Sequence, residues 1–275
     1  MDNEKLQIAL NEYRRNKKKE NIMYGLLSTI GIVGFLVIWQ VLVQFELIPI
    51  RNIATPIEVF NTFINKINHR DPDGNILIVN ILASLQVALS GFCIAIVIGI
   101  PLGLFMGWYE PVNKFVRPIF EIVRPIPPIA WIPLIILWLG IGLKAKAFII
   151  FFTSFVPCVI NSYTGIRLTN KNLINVSKTF GASNFMIFYK IGIPSALPMI
   201  FSGIRVALSN AWSTLVAAEM LAANAGLGYM ILMGRAFSRP DIVITGMIVI
   251  GAFGAIMSAI LTAIEKKLLS WRISR

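Results

Sequence analysis

Residues 175–198 read NVSKTFGASNFMIFYKIGIPSALP. Long apolar blocks lie on either side, yet this stretch carries Lys178 and Lys190, Gly181 in mid-pattern, and Pro194 and Pro198. From Leu173 to Phe180 the apolar residues recur at helical spacing, Gly181 interrupts them, and Pro194 opens the next helix. The pattern predicts helix, turn and helix in a connection of about 25 residues, far longer than most connections. Such a segment either lies on lipid as an interfacial helix or contacts something beyond the membrane.

Composition fixes the surroundings of this stretch. The chain of 275 residues is 56% hydrophobic and 14% charged, with a mean hydropathy of +0.75. Soluble domains carry roughly 25% charged residues, and a water-soluble fold of this size has too little interior for so much apolar surface. The net charge of +12 does not point to nucleic acid, because the basic residues are dispersed between apolar blocks without an aromatic-interleaved patch. Cys93 and Cys158 fall within apolar runs and provide no disulfide framework.

A spanning helix needs about 20 mostly apolar residues. Six stretches qualify: Ile22–Phe45, Ile81–Tyr109, Pro125–Leu143, Ala147–Ile166, Ile191–Ala218 and Ile242–Ile264. The first is too long for a signal h-region and lacks a small-residue cleavage pattern. With both ends on the cytoplasmic side, the inner segments hold 17 lysines and arginines and the outer segments 7; the excess of basic residues belongs inside. The expected organisation is a basic cytoplasmic tail over 1–21, a six-span domain over 22–264, and a second cytoplasmic tail over 265–275. The fold class is an all-α integral membrane protein of six transmembrane helices, with an ordered cytoplasmic helix between spans four and five.

Three features of the spans stand out. In the second, Gly91, Ala95, Gly99, Gly103 and Gly107 fall every fourth residue; in the sixth, Gly251, Ala255, Ala259 and Ala263 do the same. Such ridges allow helices to approach closely in lipid. The third span, RPIPPIAWIPLIILWLGIG from Arg124, carries Pro125, Pro127, Pro128 and Pro133, which predict an irregular start and a bend at Pro133. Broken backbone at membrane depth is tolerated inside protein or along a watery cavity, so Pro127, Pro128 and Pro133 either line a pathway or form a structural kink. Arg205 is the one basic residue well inside an apolar block. It snorkels, has an internal partner, or faces a substrate. Glu219, at the end of the same block, is expected to mark the membrane interface.

The opening stretch resembles the cytoplasmic signature of permease subunits from ATP-binding-cassette importers: Glu-Ala-Ala, three residues, Gly, nine residues, Ile, one residue, Leu-Pro. Here Asn175, Val176 and Ser177 occupy the first three places, Gly181 and Ala182 follow, and Ile191, Ile193 and Pro194 close the pattern. The glycine, the first isoleucine and the proline match; the glutamate and both alanines do not, and Ile193 stands for leucine. The likeness extends from about Trp39 to Ile264 and, through RPIPPIAWIPLIILWLGIG, GASNFMIFYKIGIPSALPMIFSGIRVAL and AWSTLVAAEML...GLGYMI, is greatest to the branch that imports nitrate, aliphatic sulfonates, taurine and related solutes.

The resemblance implies a permease paired with a second permease subunit, in the simplest case a copy of itself. A coupling helix around Gly181 would dock on separate cytoplasmic ATPase subunits, and an extracytoplasmic solute-binding protein would deliver the solute. No catalytic residue, metal site or cofactor is expected, since the chain lacks the Gly-x-x-x-x-Gly-Lys-Ser/Thr phosphate loop and any HExxH or Cys/His cluster. The rival readings are an ion-coupled secondary transporter, poorly served by a sole histidine (His69) outside the spans, and a channel, which leaves the ordered cytoplasmic segment without a task.

The charge distribution generates a topology test. A cysteine placed at Asn68 is labelled by an impermeant thiol reagent on intact cells, whereas one at Asn172 is not. The reverse pattern overturns the orientation.

Overall fold

A computed structural model describes residues 3–45, 53–222 and 224–269. These residues form helices and contain no strand. The chain divides into two compact units, Met1–Phe63 and Ile64–Arg275. The first contains α1 (Asn3–Gln44), which passes without interruption through the expected tail boundary at residue 21. Its portion Arg15–Gln44 is long and apolar enough to cross a bilayer. The second helix, α2 (Pro56–Asn68), begins with a reciprocal cap: Thr55 N donates to Glu58 Oε2 at 2.8 Å, and Glu58 N donates to Thr55 Oγ1 at 3.2 Å, which satisfies two donors that the helix start leaves open.

The second unit continues with α3 (Leu77–Trp108), α4 (Glu110–Val123), α5 (Ile132–Leu139), α6 (Leu143–Arg167) and α7 (Lys171–Thr179). It is completed by α8 (Asn184–Ile187), α9 (Ile193–Ala222), α10 (Leu227–Ala236) and α11 (Pro240–Leu268). The small-residue ridge of α3 lies against α6. A Cβ built on Gly91 would strike Ala147 O and Ile150, one on Gly99 would lie 3.0 Å from Cys158 Cβ, and one on Gly103 would strike Val159 O. Gly91 thus meets the start of α6 and Gly103 its later half, so the two helices run parallel. In contrast, α9 is antiparallel to α6: Gly165 faces Ala196 and Met199, and Gly203 faces Asn161. Val87, Phe92, Ile150, Cys158, Leu208 and Leu215 fill the space among the three helices.

Parallel packing of α3 and α6 has a topological consequence. The segment joining them must travel back from the end of α3 to the start of α6, and it does so in pieces. Helix α4 starts where α3 stops, with Glu110 paired to Arg167 at the end of α6 at 3.2 Å. It ascends along α6 until the Phe120 ring sits 6.4 Å from that of Phe155, halfway along α6. A 3-10 turn at Pro128–Trp131 follows, and then α5, whose Ile132 and Ile135 pack on Ala145 and Ile149 at the start of α6.

This corrects the expected third span. Pro125–Leu143 is not one helix: α5 has 8 residues, or about 12 Å, against a hydrocarbon core of about 30 Å. The return path is Glu110–Leu139, two pieces bent by 82°. Residues 110–124, taken from their charges as a connection outside the membrane, are its first half. The bend also precedes Pro133, which instead sits in the first turn of α5, where its missing N–H leaves no helical bond unmade. Among the described residues, five helices are long and apolar enough to cross a bilayer, and the bent pair makes up to six.

Two further expectations change. The fifth span starts at Asn184 and not near Ile191, because α8 runs through a π turn at Phe188–Gly192 directly into α9. Pro194 therefore lies inside a continuous helix. Its ring crowds the Lys190 carbonyl and offers it no N–H; the wider turn accommodates both effects. The ridge on α11 also differs from that on α3: Gly251, Ala255, Ala259 and Ala263 are exposed, and a Cβ on Gly251 meets nothing within 4 Å. Of the expected tail 265–275, residues 270–275 lie outside the described residues, as does Arg51.

The contact between α3 and α6 predicts that Gly99→Leu combined with Gly103→Leu lowers stability by about 1–3 kcal/mol per site through overpacking. The thermal midpoint in detergent falls and the yield of folded protein drops. An unchanged midpoint and yield rule out the ridge as a packing contact.

Candidate coupling segment and membrane pathway

The first helix of the segment, α7, is capped at both ends by its own sequence. Asn170 Oδ1 accepts from Asn172 N at 2.9 Å. At the other end Ala182 N donates to Ser177 O at 3.1 Å and Gly181 N donates to Lys178 O at 2.9 Å. This pair of bonds is the Schellman arrangement, with Gly181 in the left-handed region at φ 76°. A Cβ on Gly181 meets nothing within 4 Å. Glycine is therefore required here by the backbone angle and not by a close neighbour. Ser183 Oγ then accepts from Met186 N at 3.3 Å, capping α8.

The cap fixes what α7 displays. Leu173, Val176 and Phe180 form an exposed apolar ridge, with Phe180 85% exposed, and Asn175 is exposed beside them. Ser177 is half-buried and donates its hydroxyl to Leu173 O at 2.8 Å. Ala182 and Ile191 are half-buried, and Pro194 is exposed at the start of α9. The seven residues assigned to the coupling segment thus share one helix–turn–helix unit. None of them lines the cavities beside α9 or α4; what they build is a projection.

Phe188, which the signature does not include, holds that projection in place. Its side chain is 4% exposed and its ring centroid lies 5.5 Å from Phe105, 5.5 Å from Trp108 and 5.9 Å from Tyr109. Leu104, Ile166, Ala196 and Ile200 complete the surrounding core. In the sequence Phe188 is one apolar residue of a run from Phe185 to Tyr189, and only the cluster Phe105, Trp108 and Tyr109 at the end of α3 hints at a receiving site.

The pathway candidates separate into two places. Pro127 and Pro128 open the 3-10 turn, and Pro133 is exposed on α5. Arg205 lies on α9 and has an internal partner, an ion pair with Glu265 near the end of α11. It lines a cavity of about 380 Å³ between α9 and α11, with Ser209, Trp212, Ser213 and Ser258. None of the three prolines lines that cavity.

At the opposite end of the bundle, Glu219 is enclosed by protein. It is 1% exposed and accepts from Ser84 Oγ at 2.8 Å and Gly228 N at 2.8 Å. Ser84 Oγ in turn accepts from Leu227 N at 2.8 Å, and Asn80 Oδ1 accepts from Gly226 N at 3.0 Å. Asn80 Nδ2 donates to Asp73 Oδ2 at 2.6 Å, and Asp73 pairs with buried Lys66. A buried carboxylate is retained where donors surround it, so this network ties the end of α9 and the start of α10 to α3.

The family of binding-protein-dependent transport system inner membrane components matches residues 99–270. The chain is 30% identical over 270 residues to the taurine transport system permease protein of Escherichia coli, covering 97% of this chain and 98% of that one. To the nitrate import permease protein of Synechocystis it is 30% identical over 259 residues, with 92% and 93% covered. A relative in Methanocaldococcus jannaschii, provisionally named an ABC transporter permease, is 43% identical over 197 residues, covering 71% of this chain and 74% of its own. In structure, a chain of the inward-facing MetNI methionine ABC transporter matches 67% of this chain and 95% of its own, with a TM-score of 0.54 at 20% identity. That likeness concerns the fold, which has the same helical plan. By sequence across most of its length, the chain belongs to the family of binding-protein-dependent transport system inner membrane components, the permease subunits of ATP-binding-cassette importers.

Proposed function

We propose that this chain is the permease of an ATP-driven importer for a small oxyanion or zwitterion of the sulfonate, nitrate or taurine kind. Two copies pair around one pathway in the cell membrane with both termini in the cytoplasm. Separate ATPase subunits dock on α7, and an extracytoplasmic solute-binding protein delivers the solute. The observation that carries this reading is α7 itself, a glycine-capped helix whose apolar ridge projects outward while Phe188 anchors its base in the bundle. An exposed apolar ridge on a rigid mount suits a groove on another protein. When ATP closes the ATPase pair, motion applied at Phe180 passes through the Gly181 turn to Phe188 and from there into α3, α6 and α9.

The charge distribution supports the orientation even with α4 at membrane depth. Without Lys114, Arg117 and Arg124 the cytoplasmic side retains 14 basic residues against 7. The cytoplasmic tails remain 1–21 and 265–275 in this reading. The solute class rests on the relatives named for taurine and nitrate.

Gly181→Val tests the coupling role. A β-branched residue held at positive φ costs roughly 1–3 kcal/mol, so the turn rearranges while the spans stay inserted. ATP-driven uptake of labelled taurine into proteoliposomes is lost, with the permease present and the ATPase depleted on a gel. Gly181→Asn, which tolerates positive φ, retains more uptake, and Asn175→Ala has a smaller effect than Gly181→Val. Normal uptake by Gly181→Val sinks the coupling assignment, and α7 is then an interfacial helix.

A further inference from the structure

Helix α4 is amphipathic. Phe115, Ile119 and Ile122, at helical spacing, are 75%, 58% and 73% exposed on one face; on the other, Asn113 is 5% exposed, and Arg117, Glu121 and Arg124, with side chains 59%, 47% and 45% exposed, border α6. There they line a cavity of about 190 Å³ together with Tyr163 and Thr164. Its depth follows from the register already described, Glu110 at the end of α6 and Phe120 beside Phe155 at its midpoint. Charges at that depth are costly and gather where a function or a partner retains them.

The pairing inside the cavity is incomplete. Glu121 lies 3.9 Å from Arg117 Nε and 3.4 Å from Arg124, both longer than well-formed hydrogen bonds. One carboxylate set against two guanidiniums leaves one positive charge. Asn113 is 5% exposed, lines the same cavity, and its Oδ1 has no hydrogen-bond partner among the described residues. A buried acceptor left open costs free energy unless something donates to it.

We propose that this cavity is a solute-binding station within the membrane, for a small oxyanion that carries a hydrogen-bond donor at its other end. Arg117 and Arg124 take the oxyanion, since guanidinium donors match its geometry, and Asn113 Oδ1 accepts from the amine or hydroxyl. The α6 residues of the lining, Val159, Ile160, Tyr163 and Thr164, lie between the midpoint of that helix and its end at Arg167. The inference rests on the importer reading and adds the residues that select the solute.

The test uses the full chain alone in phosphatidylcholine nanodiscs, with 2-aminoethanesulfonate and ethanesulfonate as probes and saturation-transfer NMR as the readout. The wild type binds both, the amino compound about fivefold more tightly. Arg117→Gln weakens both by about tenfold, the loss of one charge-assisted bond, with an unchanged thermal midpoint. Arg124→Gln, the second variant, does the same. Asn113→Leu abolishes the difference between the probes and leaves ethanesulfonate binding as it was. Wild-type binding of neither probe, or Arg117→Gln and Arg124→Gln binding both like the wild type, overturns the proposal. Because no ATPase is present, the readout does not depend on docking at α7, so a failure here is distinct from a failure of the coupling assignment.

Discussion

The close approach of α3 and α6 determines the arrangement of the rest. Gly91, Gly99 and Gly103 bring two backbones together in a medium where hydrophobic burial contributes little to helix association. Because these helices run parallel, the chain between them must return through the same layer. The return is made of α4, a proline-rich turn and α5, and not of one regular helix, so polar groups reach the middle of α6. The bent path, the cavity beside it and the placement of α9 all follow from that one contact.

At the α7 end, a second constraint operates on a shorter scale. Phe188 is enclosed by Phe105, Trp108 and Tyr109 from α3 and its following residue. Apolar packing of this kind is stiff because protein interiors are close-packed. A segment with exposed tips and a buried root transmits displacement where a fully exposed loop would absorb it. The network around Glu219 performs the complementary task at the far end, fixing α9 to α3 through Ser84.

Much of this was legible in the sequence, and the misses have physical causes. Gly181 was readable because a helical pattern ending in glycine implies a left-handed cap, and the α3 ridge because small residues every fourth position mark a contact face. The ridge on α11 has the same spacing but faces no partner in this chain; periodicity identifies a face and not what covers it. The third span was misplaced because hydropathy registers charge and not direction. Arg117, Glu121 and Arg124 interrupt an apolar count, although they share one face of α4 beside α6 and leave Phe115, Ile119 and Ile122 on the other. The buried setting of Glu219 was not legible because its main partner, Ser84, is 135 positions away, beyond any local pattern. Phe188 was hidden in a run of similar residues, of which Ile187 and Phe188 are buried and Phe185, Met186 and Tyr189 are exposed.

The π turn at Phe188–Gly192 has a consequence for timing between the two ends of this helix. Ile193 N bonds back to Phe188 O, one position further than an α turn allows, so the turn contains an extra residue. In an α-helix each residue advances the azimuth by about 100°. Relative to a straight α-helix, everything before the bulge is therefore rotated by roughly that angle against everything after it. The face of α8 that carries Phe185 is set against the face of α9 that carries Ser209 and Ser213 by this single inserted residue. The bulge is where the relative azimuth of these two faces is fixed.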